Sequence, residues 1–316
     1  MGTSDHTLRA AVLIAGYATM ISLVDNFVRD IAAEAGLWQF QLARSLMAVA
    51  LMIALVPVFG LRMRPRRLWP VVARSAVHST ALMIYFGGLA FLPVALVAAG
   101  TNMAPIFVLL IVRVIYGHRL GPVRIVAAVV GFAGVMLVLG PQALEGATLA
   151  ALLPILSGAL YGLANVATRE WCPEESAETL MAGYFVAMGI LGAIGLTVLS
   201  LWSLPVGAGV EDFVMRGAVW PTPAFLGLTL VQAVGSIIGI GLLIRAYQSA
   251  DAGRVSVMEY FFLPMSALWG WLLHGDTLDA VAWTGIVLII ASGAAITLRG
   301  RHEEIAAAGA DRGMRP

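Results

Sequence analysis

The stretch Ala246–Thr297, AYQSADAGRVSVMEYFFLPMSALWGWLLHGDTLDAVAWTGIVLIIASGAAIT, decides the architecture of the chain. Two long apolar runs flank one short polar hinge, HGDTLD (His274–Asp279). Each run approaches the roughly 20 residues that an α-helix needs to cross a bilayer, so the pair reads as a hairpin of spanning helices. The first run carries a carboxylate, Glu259, inside otherwise apolar sequence. An ionisable group at the bilayer centre costs about 2.5–3.5 kcal/mol even on translocon-insertion scales, which marks Glu259 as a functional candidate.

The rest of the chain has the same character. Of its 316 residues, 60% are hydrophobic and 12% charged, with a mean hydropathy of +0.91. A soluble domain is about half apolar and about a quarter charged. The alternating pattern of a membrane barrel is absent, so the composition predicts an all-α polytopic membrane protein. Charges and Gly/Pro clusters divide it into ten transmembrane helices: Ala10–Ile31, Trp38–Phe59, Trp69–Phe91, Val94–Tyr116, Val123–Leu139, Leu149–Thr168, Thr179–Leu201, Ala224–Tyr247, Val255–Leu273 and Ala280–Leu298. The polar, Ala/Gly-rich residues 300–316 read as a frayed cytoplasmic tail.

Arginine placement predicts the orientation. With the N-terminus inside, the inner connections hold Arg62, Arg64, Arg66, Arg67, Arg113, Arg119, Arg124, Arg169, Arg245, Arg254, Arg299 and Arg301, and the outer ones Arg29 and Arg216. Short loops rich in arginine stay in the cytoplasm, so both termini are expected there. The first apolar run is long enough to serve as its own insertion signal. The single Cys172 excludes an intramolecular disulfide and any multi-cysteine metal site. HExxH and GxSxG patterns are absent, which argues against an enzyme, and neither a cofactor nor a nucleic-acid partner is implied.

A weak internal repeat divides the chain. LVDNFVRD (Leu23–Asp30) is echoed by LANVATRE (Leu163–Glu170) at a shift of 140, and the Pro105/Gly134 spacing of 29 recurs at Pro264/Gly293. The reading is two five-helix repeats, 1–145 and 146–299. Five is odd, so the second must enter the bilayer inverted, a design of secondary transporters whose substrate site lies at the repeat interface.

Several of these strings resemble a known family. FLPVALVAAGTNMAPIFVLLIVRVIYGHRLGPVRIVAAVVGFAGVMLVLGP (Phe91–Pro141) is similar to the C-terminal hairpin of the first repeat in EamA-type transporters of the drug/metabolite transporter superfamily. MEYFFLP (Met258–Pro264), Gly275-Asp276 and TGIVLIIASG (Thr284–Gly293) resemble its second-repeat counterpart, and VDNFVR with QLARSLMA the first hairpin. The first-repeat hinge departs from the family, with Gly117-His118 where Gly-Glu is usual. The resemblance implies a ten-helix secondary transporter of the bacterial inner membrane. Its implied cargo is a small polar metabolite: an amino acid or an amino-acid-derived, zwitterionic compound. The Glu259-Tyr260 pair resembles the branch associated with S-adenosylmethionine- and carnitine-like solutes. Export of aromatic amino acids or drug-like compounds is the alternative, and a channel-like facilitator a weaker one.

The intramembrane polar residues are the site candidates. Asp25, Arg29 and Arg44 come to one depth near the outer side. Two readings stand for Asp25 and Arg44: an ion pair that locks the first hairpin, or a planar guanidinium offered to a substrate carboxylate and oriented by the aspartate. Glu259 and His78 come to similar depth near the inner side and are the candidates for taking up a coupling proton. The alternative for Glu259 is a structural carboxylate satisfied by Tyr260 or by donors from another helix. Asn102 and Asn165 suit interhelical hydrogen bonds or substrate contact. Tyr85, Tyr161, Tyr260, Trp269 and Trp271 are candidates for an aromatic-walled pocket, and Trp38, Trp69 and Trp202 for the interfacial belt. Pro105 and Pro264 free backbone carbonyls and are the candidate hinges. Gly235–Gly239 is a GxxxG match, leaving monomer and homodimer both open.

Overall fold

The computed structural model describes residues 6–88, 92, 94–118, 120–141, 150, 152–202, 210–275 and 277–313. Arg119, Asp276 and the expected repeat boundary at 145/146 lie outside the described residues. All regular structure among the described residues is helical: α1 (Thr7–Asp25), α2 (Val28–Glu34), α3 (Leu37–Phe59), α4 (Leu68–Gly88), α5 (Val94–Thr101), α6 (Ala104–Val114), α7 (Pro122–Leu139), α8 (Leu152–Glu170), α9 (Ala177–Leu201), α10 (Val210–Met215), α11 (Pro223–Ser249), α12 (Ala252–Met258), α13 (Phe262–His274) and α14 (Ala280–Gly313). Seven described stretches are long and apolar enough to cross a membrane: Thr7–Glu34, Leu37–Phe59, Leu96–Val114, Pro122–Leu139, Ala177–Leu201, Pro223–Ser249 and Ala280–Gly300. The remaining long helices, α4 and α8, carry Arg74, His78 and several serines, or Asn165 and Ser157, on their buried faces. The α12–α13 stretch is divided by a short 3-10 turn, Glu259–Phe261.

The distribution of side chains is that of a membrane protein. Leu46, Ile53, Val58, Val126 and Ile190 lie on the outside, whereas Gln41, Arg44, Arg74, His78, Asn165 and Gln232 are buried. Lipid accepts apolar surface at no cost and polar groups at a high one, so the polar residues turn inward.

Three of the continuous spans expected from the sequence are interrupted, and each interruption has a local cause. Between α1 and α2, Asn26 Nδ2 donates to the Ser22 carbonyl at 2.7 Å. Between α5 and α6, Asn102 Nδ2 donates in the same way to the Ala98 carbonyl at 2.8 Å. Pro105, at the start of α6, has no N–H to offer Thr101. Pro264 likewise leaves the Tyr260 carbonyl without its helical donor, and the chain tightens into the 3-10 turn there. At the far end, α14 continues as helix to Gly313, past the Leu298 limit and through the residues expected to fray.

Helices pair across the whole chain: α1 on α11, α3 on α9, α4 on α8 and α7 on α14. Glycine permits the close approaches. A Cβ at Gly134 in α7 would lie 2.7 Å from the Gly285 carbonyl oxygen of α14, and one at Gly285 would lie 2.5 Å from that of Gly134. Gly134→Leu is therefore expected to force the two backbones apart and cost about 1–3 kcal/mol by overpacking. The measurement is a lowered thermal-unfolding midpoint of the detergent-solubilised protein, with Gly121→Ala, in open space, as the unaffected control. Gly235 and Gly239 receive Val24 and Ile21 of α1, so the GxxxG motif is used within the molecule. Trp38 corrects its expected place in the interfacial belt. It packs against Gly195, and its indole N–H donates to the Val214 carbonyl at 2.8 Å. Trp69 and Trp202 are exposed.

Candidate functional site

An internal cavity of about 230 Å³ opens in the middle of the bundle. Helical spacing presents the residues that line it: Tyr17, Ile21 and Asp25 recur every four residues on α1, as do His78 and Leu82 on α4, followed by Tyr85 and Phe86. Arg44 enters from α3, Tyr161 from α8 and Tyr184 from α9. The breaks that interrupt the fourth and ninth expected spans also contribute, through Asn102, Pro105, Glu259 and Tyr260. Broken helices at membrane depth are tolerated where they line such a cavity.

Arg44 is buried, and its guanidinium stands 5.3 Å from the Phe40 ring centroid. One terminal nitrogen donates to the Tyr184 hydroxyl at 3.2 Å, while its buried Nε has no partner. Among the described residues, no carboxylate lies within 4 Å of it. Asp25 instead accepts from Gln232 Nε2 at 3.0 Å, and that same amide nitrogen donates to the Val24 carbonyl at 3.0 Å. The direct Asp25–Arg44 ion pair considered for the first hairpin does not form. Gln232 in α11 was the better-placed partner, because α11, not α3, packs along α1.

Glu259 is held by three donors. Tyr161 donates its hydroxyl to Oε2 at 2.8 Å, Asn165 donates through Nδ2 to Oε1 at 3.3 Å, and the Tyr247 hydroxyl also donates to Oε1. Tyr17 extends the chain, its hydroxyl 3.4 Å from that of Tyr161. Tyr260 is not among the donors. Its ring lies against Gly131, and its hydroxyl is buried without a partner. His78 makes no ion pair with Glu259. Its ring lies edge-on to Tyr161 with centroids 5.2 Å apart and 5.0 Å from Tyr184, so a tyrosine stands between the two proton candidates.

Of the candidates named from sequence, the cavity brings together Asp25, Arg44, His78, Tyr85, Asn102, Pro105, Tyr161, Glu259 and Tyr260. Asn165 stands behind Glu259 as its donor. Trp269 and Pro264 lie outside the lining, and the Trp269 indole N–H is taken by the Thr19 carbonyl at 3.0 Å. Tyr17, Tyr184, Tyr247, Gln232 and Arg74 were not singled out. Tyr17 shares the helical face of Asp25, a signal that was legible. Arg74 is fully buried beside His78 on α4, with Nε donating to Thr168 Oγ1 at 3.0 Å. As an arginine inside a spanning segment, it qualified as a candidate on the same rule as Glu259.

Comparison with known proteins agrees with this architecture. Residues 8–140 match the EamA-like transporter family. A riboflavin transporter of Rhizobium johnstonii is 29% identical over 83% of this chain and 79% of its own. The pseudopaline exporter CntI of Pseudomonas aeruginosa is 26% identical over 90% of this chain and 94% of its own. An S-adenosylmethionine uptake transporter of Rickettsia bellii is 24% identical over 69% of this chain and 71% of its own. One crystal structure superimposes with a TM-score of 0.76 over 93% of this chain and 98% of that one, at 20% identity, a likeness of fold. Residues 8–140 of this multi-pass helical chain thus match the EamA-like transporter family, and the relatives that it resembles over most of its length are named transporters and not enzymes.

Proposed function

We propose that this protein is a secondary active transporter that carries a small zwitterionic metabolite across the bacterial inner membrane by alternating access. The observation that carries this reading is the cavity itself, where the Arg44 guanidinium and the Glu259 carboxylate stand on separate walls without pairing. A guanidinium that forms no ion pair within 4 Å among the described residues suits a substrate carboxylate, and a carboxylate ringed by hydroxyls suits an amino or other cationic group. In this reading Asp25, Tyr85 and Asn102 complete the substrate's surroundings, and Glu259 with His78 handles a coupling proton through Tyr161.

The alternating-access element of the proposal draws on symmetry. Counting the expected spans one to ten, the main pairings are one with eight, three with six, two with seven and five with ten. Exchanging each span with the one five places away converts the first pairing into the second and leaves the other two unchanged. Two like halves of five spans produce that pattern, and the odd number inverts one against the other. The halves would rock about the cavity, with bending at Pro105 and Pro264 and both termini in the cytoplasm.

A second reading rests on the aromatic lining. Tyr17, Tyr85, Phe86, Tyr161 and Tyr184 offer ring faces to a flat heteroaromatic solute, and a riboflavin transporter is among the relatives. Both readings are tested by flux into proteoliposomes, with and without a pH gradient, after a thermal-shift screen of amino acids, betaines, carnitines, nucleosides, S-adenosylmethionine and riboflavin. Saturable, gradient-sensitive flux of a zwitterion is the expected result. Saturable flux of riboflavin alone selects the second reading, and non-saturating flux rejects a carrier.

A further inference from the structure

We propose that the polar face of α8 is the solute's route between the central cavity and the arginine-rich end of the bundle. The hydrogen bond between Trp171 and Tyr116 is the latch that closes this route. The proposal rests on the alternating-access reading above and gives that reading its inner gate.

Tyr161, Asn165 and Thr168 recur on one face of α8. Tyr161 lines the cavity, Asn165 donates to Glu259, and Thr168 accepts from Arg74. Contacts along α4 fix the register of this face. Ser157 Oγ donates to the Ala81 carbonyl at 2.7 Å, the Tyr161 ring meets that of His78, and Arg74 reaches Thr168. Below the cavity the seam thus stays polar, where packing alone would be served by apolar side chains. Arg74 Nη2 and Asn165 Oδ1 are buried there with no hydrogen-bond partner among the described residues. Such groups are retained at a cost, which a passing polar solute or its water would offset.

One turn beyond Thr168, the Trp171 indole N–H donates to the Tyr116 hydroxyl at 2.7 Å. The bond crosses the boundary between two packing clusters. Tyr116 packs against the cluster that holds Val108 and Val255, and Trp171 against the one that holds Val71 and Leu180. The tip of α6 is otherwise loosely held: Arg113, Val114 and Ile115 are exposed, whereas Tyr116 is partly buried. At its other end α6 begins in the cavity, where Asn102, Ala104 and Pro105 belong to the lining. There it rests on α8 through glycine, since a Cβ at Gly162 would lie 3.0 Å from the Ala104 carbonyl oxygen. From Ala104 to Val114 the helix is a lever of about 15 Å. A kink of about 20° at Pro105 moves its tip by about 5 Å, enough to part Tyr116 from Trp171.

The test is the rate at which N-ethylmaleimide labels single cysteines of the full chain in detergent. Cys172, buried and next to Trp171 in the chain, reports on the latch. Thr168→Cys reports on the route and Ala98→Cys on the cavity that Ala98 lines, each in a Cys172→Ala background. Tyr116→Phe and Trp171→Phe remove the bond from either side and keep an aromatic ring. Each is expected to speed labelling of Cys172 and of Thr168→Cys about fivefold, the population shift of one lost hydrogen bond, and to leave Ala98→Cys no faster. The double variant is expected to add nothing, as both substitutions remove the same bond. Pro105→Ala, which restores an N–H for the Thr101 carbonyl, is expected to slow labelling of Cys172 and of Thr168→Cys. Unchanged labelling in the phenylalanine variants, additive effects, or faster labelling of Cys172 alone overturns the proposal. Faster labelling of Thr168→Cys together with Ala98→Cys keeps the latch but rejects alternating access, because both ends then open at once.

Discussion

Replacing Glu259 with glutamine is expected to raise the half-saturation concentration of transport roughly ten- to a hundredfold while the protein stays folded. Glutamine keeps the size of the side chain but has one acceptor oxygen where the carboxylate has two, and its amide nitrogen donates. The Tyr161 and Tyr247 hydroxyls both donate to the carboxylate, so one of them must turn away. Tyr161 has somewhere to turn, toward the Tyr17 hydroxyl 3.4 Å away. The structural cost is then that of one rearranged hydrogen bond, about 1 kcal/mol, a small shift in the thermal midpoint. Loss of a charge-assisted contact to the substrate is larger, about 1.5–3 kcal/mol, or roughly ten- to a hundredfold in half-saturation. Transport and thermal unfolding of the same preparation separate the two effects. Wild-type flux in folded Glu259→Gln protein removes the carboxylate from the mechanism, and aggregation with no folded fraction makes it structural.

The second large effect is expected at Arg44. No carboxylate among the described residues forms an ion pair with this guanidinium, and Asp25 takes its hydrogen bond from Gln232. Arg44→Met therefore breaks no ion pair among the described residues, and the fold should persist with the loss of one bond to Tyr184, the contact with Phe40 and the longer-range attraction to Asp25. Arg44→Lys keeps the charge but not the planar fork that binds a carboxylate through two parallel bonds. The lysine variant is expected to raise the half-saturation concentration on the order of tenfold, as one charge-assisted bond is lost. The methionine variant is expected to lose saturable flux of a zwitterion altogether. A methionine variant that transports normally rules out a substrate contact. One that fails to fold assigns Arg44 to the scaffold.

Much of the site was legible because a single rule governs polar residues in a bilayer. Asp25, Arg44, His78 and Glu259 are expensive in lipid wherever they fall, so each had to face the interior, and all four line one cavity. Arg74 obeyed that rule too. The helix breaks were half legible: Pro105 and Pro264 announce missing N–H groups, but the asparagine that closes over a freed turn does so through a side-chain rotamer. Aromatic residues were the least legible. Trp38, Trp269 and Trp271 have the same composition-level signature, yet one fills a glycine notch, one bonds a backbone carbonyl on α1 and one is exposed.

By itself, then, the sequence determined the class of the molecule, the approximate extent of its helices and the list of side chains that had to turn away from lipid. These depend on hydropathy and spacing along one helix, quantities that a linear chain carries. Only the tertiary structure decided who meets whom: Asp25 with Gln232 and not Arg44, Glu259 with Tyr161 and Tyr247 and not His78. The Asp25 and Tyr161 contacts join helices about a hundred residues or more apart in sequence and depend on how far each helix is rotated about its axis. Rotation is set by packing, where glycines such as Gly134, Gly235 and Gly239 let particular backbones approach, and no local pattern encodes it.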